Sequence, residues 1–281
     1  MIERILLADS GNGHSEEMLK ALMAIPSMQR ASVTVLHVVQ PQITAETMAA
    51  KREQGQKILE TAVQSLHLDS GHVTTLLREG DPKDEVCRVA DEMDADLVIM
   101  GSRGLKRLEA ILEDSVSQYV FQASSRPMLF VKDDIYVKQI HRVMVALDSS
   151  DSAKKSLDLA LFFLRDVKGG QLILTHVNPK KEREGVAMQN PEQDPVLAPA
   201  VAAAKKWGIA YRCISTSGKP GEEICRLAEE MSVDLLMLGS PDRRPQIGKN
   251  LPDLDRLLGG SLSDYVRVYA NCPVLLERTV G

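Results

Sequence analysis

Apolar residues along this chain arrive in short runs of two kinds, and the two alternate. The first kind is continuous and rich in β-branched residues: Ile5–Ala8, Val33–Val39, Val73–Leu77, Leu97–Met100 and Met128–Val131. Such runs predict strands buried on both faces, as in a parallel sheet. The second kind has helical spacing. Across Ala45–Leu66 the positions Ile58, Leu59, Ala62, Val63 and Leu66 share one helix face. After Pro82, a residue suited to a helix start, Val86, Val89, Ala90 and Met93 do the same. Helices are also predicted over Glu16–Ala24 and Ser115–Phe121. Strands alternating with helices predict an α/β fold, a parallel sheet covered on both faces.

The order then repeats. Val143–Leu147, Leu172–Val177, Tyr211–Ser215, Leu235–Leu238 and Val274–Leu276 read as a second set of strands. Residues 80–102, GDPKDEVCRVADEMDADLVIMGS, align without a gap on residues 218–240, GKPGEEICRLAEEMSVDLLMLGS. Solenoid periods lie at roughly 20–50 residues, so a repeat this long predicts a duplicated domain. Boundaries are expected at 1–136 and 137–281, with the charged stretch Asp133–His141 as linker. The halves differ in one segment: Ser115 lies 14 residues after Gly101, whereas Ser261 lies 22 after Gly239. The longer segment, PDRRPQIGKNLPDLD, predicts a surface loop.

Composition narrows the function classes. A net charge of −5 argues against non-specific nucleic-acid binding, which relies on neutralising phosphates. The most apolar stretch, residues 157–164, contains an Asp and is too short to span a bilayer, so no membrane role is expected. The opening MIERILLADS lacks the apolar stretch of a signal peptide, which predicts a cytoplasmic protein. The four cysteines show no paired ligand spacing and read as small buried hydrophobes, and no metal site is expected. His37 and His176 recur inside strand-like runs and read as structural.

Ligands on open parallel sheets bind beyond the carboxyl ends of strands. Here the segments after strands one and four are polar: 9–15 and 101–104 in one half, 148–152 and 239–242 in the other. Glycine lets a backbone approach a phosphate, and a helix start presents free N–H groups to it.

On these residues both halves resemble universal stress protein (UspA-type) domains. The resemblance rests on RVMVALDSSDSAKKSL at 142–157, the LHVV and THVN strands, the Gly-x-Pro turns, DLVIMGSRG, and SVSQYVFQASSRPMLFVK. It covers nearly the whole chain. It implies two Rossmann-like domains of the adenine-nucleotide alpha-hydrolase type, each a five-stranded parallel sheet of order 3-2-1-4-5. It further implies an adenine nucleotide, ATP or AMP, as ligand, and antiparallel pairing of the two fifth strands within the chain; a homodimer is left open.

The family's phosphate motif is Gly-x-x-Gly, nine residues, then Gly-Ser or Gly-Thr. Carried over, it falls on Gly101, Arg103, Gly104 and Ser115 in the first half, and on Gly239, Gly260 and Ser261 in the second. The adenine contacts fall on Asp148 and, one residue out of step, Asp9, with backbone groups of Val38 and Val177. Two residues depart from the pattern. Asp114 replaces the glycine before Ser115, and Asp242 replaces the second glycine of the other half. Two like charges about 5 Å apart repel by roughly 3 kcal/mol at an effective dielectric of 20, so each substitution opposes a phosphate. The first half keeps the compact spacing and is the expected site.

Three functions fit: a stress-response regulatory module that binds adenine nucleotide, an interaction scaffold that binds none, and an ATP-hydrolysing or adenylating enzyme. Residues 10–15 resemble the SGGxDS loop of ATP pyrophosphatases only partly, since Asn12 and His14 replace its second Gly and its Asp. No Ser-His-Asp set or paired carboxylate is readable. The regulatory binding module is the reading adopted.

Overall fold

A computed structural model describes residues 2–11, 14–68, 71–102, 115–179, 188–241 and 261–279. The chain forms two compact units, with the main division between Lys138 and Gln139.

The first unit runs β1 (Arg4–Ala8), α1 (His14–Met23), β2 (Ser32–Val39), α2 (Ala45–Leu66), β3 (Val73–Glu79), α3 (Pro82–Glu92), β4 (Leu97–Ser102), α4 (Val116–Ala123) and β5 (Met128–Lys132). All its strand pairs are parallel, in the order β3-β2-β1-β4-β5. The second unit runs β6 (Arg142–Ala146), α5 (Asp151–Leu164), β7 (Gln171–Asn178), α6 (Ala198–Trp207), β8 (Ala210–Ser217), α7 (Pro220–Glu230), β9 (Leu235–Pro241), α8 (Leu262–Tyr269) and β10 (Val274–Thr279). Its sheet, also parallel, has the matching order β8-β7-β6-β9-β10.

Burial explains the apolar runs. Ile5, Leu6 and Leu7 of β1 and Leu97, Val98 and Ile99 of β4 have no exposed surface, so successive side chains are buried on opposite faces. Helices supply the cover: α1 packs with α2, and α3 with α4. The outer strand β3 is exposed at several positions and reads less cleanly as apolar.

Each sheet is pinned at its lower edge by one carboxylate. Asp96 Oδ2 accepts the backbone N–H groups of Glu3 and Arg4, both at 2.9 Å. Asp234 Oδ2 accepts those of His141 (2.9 Å) and Arg142 (2.7 Å). The recurring Asp of the repeat therefore joins the start of the first strand to the start of the fourth.

Parallel register then carries Ala8 beside Met100, and Ala146 beside Leu238, at the opposite edge. The next residues are Asp9 with Gly101, and Leu147 with Gly239. The two glycines differ in their surroundings. A Cβ on Gly101 would meet nothing within 4 Å among the described residues, whereas one on Gly239 would lie 2.5 Å from the backbone nitrogen of Ala153. Accordingly, Gly101→Ala should leave the thermal midpoint almost unchanged. Gly239→Ala should cost about 1–3 kcal/mol, because backbone at the start of α5 has to move. Paired denaturation curves check this, and equal effects would contradict it.

Candidate functional site

Strand order reverses beside β1 in one unit and beside β6 in the other, so a crevice opens above each sheet at that point. The first cleft encloses about 320 Å³ and brings together Asp9, Val38, Gly101 and Ser115. The second encloses about 210 Å³ and brings together Asp148, Val177 and Gly239. Ser261 precedes Leu262, which lines the second cleft. Arg103, Gly104 and Gly260 lie outside the described residues, as do Asp114 and Asp242.

The two aspartates after the first strands are not equivalent in register. Asp9 donates its N–H to Leu36 O (2.9 Å), as Leu147 does to Thr175 O (2.8 Å), so Ser10 is the counterpart of Asp148. Both carboxylates nonetheless close the same small turn. Asp9 Oδ1 accepts Gly11 N–H at 2.9 Å, and Asp148 Oδ1 accepts Ser150 N–H at 2.8 Å. The first turn is displaced by one residue, and Gly11 absorbs that shift with φ of 84°. Asp9 is consequently buried, at 5% exposure, while Asp148 is exposed.

Beside Asp9 lies a group that the sequence reading missed. Glu16 of α1 is buried, accepts a hydrogen bond from the Ser65 hydroxyl and meets the carboxyl of Asp9. Burial raises its carboxyl above the ordinary range, Ser65 opposes the rise, and the neighbouring Asp9 charge adds to it. Asp9 Oδ2 itself is buried and makes no hydrogen bond among the described residues. The available clue was that Glu16 shares a helix face with Leu19 and Met23.

The recurring histidines differ in what holds them. His37 Nδ1 donates to the backbone oxygen of Asp9 at 2.8 Å, tying β2 to the turn after β1. His176 Nδ1 instead donates to Asp194 Oδ2 at 2.8 Å. The buried Asp194 also accepts from the Ser215 hydroxyl (2.5 Å) and from Val196 N–H (2.9 Å). Burial opposes ionisation of Asp194, but the hydrogen bonds from His176, Ser215 and Val196 outweigh it and hold the carboxyl below its usual range. No periodicity could reveal Asp194, which comes from an irregular segment between β7 and α6.

The clefts also contrast at the starts of α4 and α8. Ser115 caps α4 by accepting Gln118 N–H (3.4 Å), and the Ser102 hydroxyl is buried with no partner among the described residues. In the second half the counterpart hydroxyls are engaged. Ser240 donates to Ser263 (3.1 Å), and Ser261 donates to Asp264 Oδ2 (2.7 Å). The cysteines were expected to be buried, but only Cys272 is, while Cys87, Cys213 and Cys225 are half-buried at helix and strand surfaces; partial burial, chiefly, pushes the Cys87 and Cys213 thiols each up to about 11. Among the described residues, no cluster of His, Cys, Asp and Glu could hold a metal ion, and no helix is long and apolar enough to cross a membrane.

Known proteins share this doubled arrangement. The sequence model of the universal stress protein family matches residues 1–132 and again 139–278. The chain belongs to the universal stress protein family. Universal stress protein YxiE of Bacillus subtilis (strain 168) is 27% identical over 148 residues, covering 47% of this chain and 100% of that protein. Universal stress protein MJ0577 of Methanocaldococcus jannaschii is 24% identical over 155 residues, covering 47% of this chain and 96% of its own length. The crystal structure of a universal stress protein from Archaeoglobus fulgidus DSM 4304 superposes on the fold with a TM-score of 0.76 at 22% identity, covering 98% of this chain and 96% of the other. The chain is thus a tandem universal stress protein of two Rossmann-like domains.

Glu16 and Asp194, both buried, predict opposite effects of amide substitution. A raised carboxyl such as Glu16 lowers stability as pH climbs from the ordinary carboxylate range through its folded value. Glu16→Gln should therefore raise the melting temperature at neutral pH by a few degrees, equivalent to about 1 kcal/mol, with the gain shrinking in acid. A depressed carboxyl such as Asp194 contributes stability above the ordinary range and loses it as pH falls through its folded value. Asp194→Asn should cost about 1–3 kcal/mol at neutral pH and less in acid. Melting curves from pH 3 to 8 check both, and pH-independent differences would contradict both assignments.

Proposed function

We propose that this tandem universal stress protein is a stress-response regulatory module of the cytoplasm that binds an adenine nucleotide, ATP or AMP, in its first-half cleft. The observation that carries the reading is the state of that cleft. Its volume of about 320 Å³ falls at the lower end of ligand pockets, roughly 300–1,000 Å³. It holds two buried polar atoms with no partner among the described residues, Asp9 Oδ2 and Ser102 Oγ, at the proposed base and phosphate ends respectively. Each such atom costs about 1–3 kcal/mol while unmatched, a cost that a suitable ligand removes.

In this reading the exocyclic amine of adenine donates to Asp9 Oδ2, an acceptor that a guanine carbonyl could not use. The backbone of Val38 borders the base. Phosphate oxygens meet the Ser102 hydroxyl, the open backbone at Gly101, and the start of α4, whose first turn carries no acidic residue. His37 is tied by Nδ1 to the Asp9 carbonyl and serves the turn, so the module acts by binding rather than by catalysis.

Denaturing the purified protein and analysing the supernatant should release ATP or AMP, or added nucleotide should raise the melting temperature. Gly101→Val fills the open space with no described atom to displace, so binding should weaken at least tenfold while the fold persists. Unchanged affinity would remove this cleft from consideration. Absence of any nucleotide effect would favour a scaffold that binds none, and steady turnover of ATP would favour an enzyme.

A further inference from the structure

The second cleft repeats the position of the first with different chemistry at both ends. At its upper rim Gly239 is pressed against the start of α5, where Gly101 faces open space. Leu262 lines that rim, and the cleft is smaller, at about 210 Å³. The hydroxyls that would greet a phosphate are already donating, Ser240 to Ser263 and Ser261 to Asp264. Asp264 stands where the first half has Gln118, in the first turn of α8, so that helix start already carries an anion of the protein's own. The buried Arg267 interacts with this carboxylate, so the charges at the start of α8 are already balanced within the protein.

The other end is built for hydrogen bonding. Thr175, with no exposed surface, lines the cleft, and its hydroxyl has no partner; the first half has Leu36 at this place. The exposed Asp148 lines the cleft, with one oxygen engaged by Ser150 N–H and the other making no hydrogen bond among the described residues. His176 lines it too, its Nδ1–H held by the ionised Asp194 and its Nε2 without a hydrogen bond. Ile224, Leu238 and Leu262 supply apolar walls of the kind that suit a flat ring.

We infer that the second-half cleft is a separate site for a nucleobase or nucleoside without phosphate, and that it refuses the phosphorylated form. The inference rests on the adenine-nucleotide reading of the first cleft only for the class of ring. Discrimination comes from engaged donors and a resident carboxylate at one end, and from the buried Thr175 hydroxyl and the Asp148 carboxylate at the other.

Adenosine and AMP are the probes, since they differ by the phosphate alone. The titrations use full-length Gly101→Val, in which the first cleft is closed. Adenosine should bind this variant at least tenfold more tightly than AMP. Equal binding, tighter AMP, or no adenosine binding would overturn the inference, whereas failure of AMP or ATP to bind the wild-type protein at the first cleft would overturn only the earlier proposal. Thr175→Val keeps the side-chain shape and removes the hydroxyl. It should weaken adenosine severalfold while leaving the melting temperature equal or higher, and unchanged affinity would place the ligand elsewhere. Asp264→Asn removes the resident negative charge from the start of α8, so AMP should gain at least tenfold; continued refusal by the folded variant would overturn the role given to Asp264.

Discussion

A carboxylate at the foot of each sheet sets everything above it. The first residues of β1 and β6 present backbone N–H groups that no neighbouring strand can take, and buried or half-buried N–H groups require partners. Asp96 and Asp234 each accept two of them on a single oxygen, as charge-assisted hydrogen bonds. Because β1 pairs directly with β4, and β6 with β9, that contact fixes which residues reach the crevice together at the far edge. A slip of one residue would turn every side chain of a strand to the opposite face. The Asp that the repeat preserves is therefore a registration device about one strand length from the chemistry it positions.

Register also shows how far the amino-acid sequence could be read. The central strands were plain because both faces are buried, which leaves no polar position to interrupt the run. Their carboxyl ends were read too short. β7 continues to Asn178 and β9 to Pro241, because polar residues join the ladder through backbone groups that hydrophobic periodicity cannot register. The helix over Ala45–Leu66 was legible to its last residue, where His67 turns left-handed at φ 51° and ends it. Of the cleft, Gly101 and Ser115 were found through motif spacing, and Asp148 through its place after a strand. Glu16 and Asp194 were not. Their importance comes from burial beside Asp9 and beside His176, and burial between segments distant in sequence leaves no local pattern.

Duplication explains why one fold carries two clefts in different chemical states. Each polar atom left unmatched in an empty cleft opposes folding by about 1–3 kcal/mol, so an unliganded pocket is under steady pressure to satisfy itself internally. The second half has done so at the start of α8, where Asp264 accepts a hydrogen bond from Ser261 and Ser263 accepts one from Ser240. The first half has not, since Ser102 and Asp9 Oδ2 keep their hydrogen-bonding capacity.

Those unmatched atoms link stability to ligand. A molecule that satisfies them binds only the folded state, so it raises stability by RT ln(1 + [L]/Kd), about 2.7 kcal/mol at a hundredfold excess over Kd. That gain is comparable to the cost of the unmatched atoms themselves. Burial raises the Glu16 carboxyl above its ordinary range, so rising pH weakens the first domain through this group whatever the cleft holds.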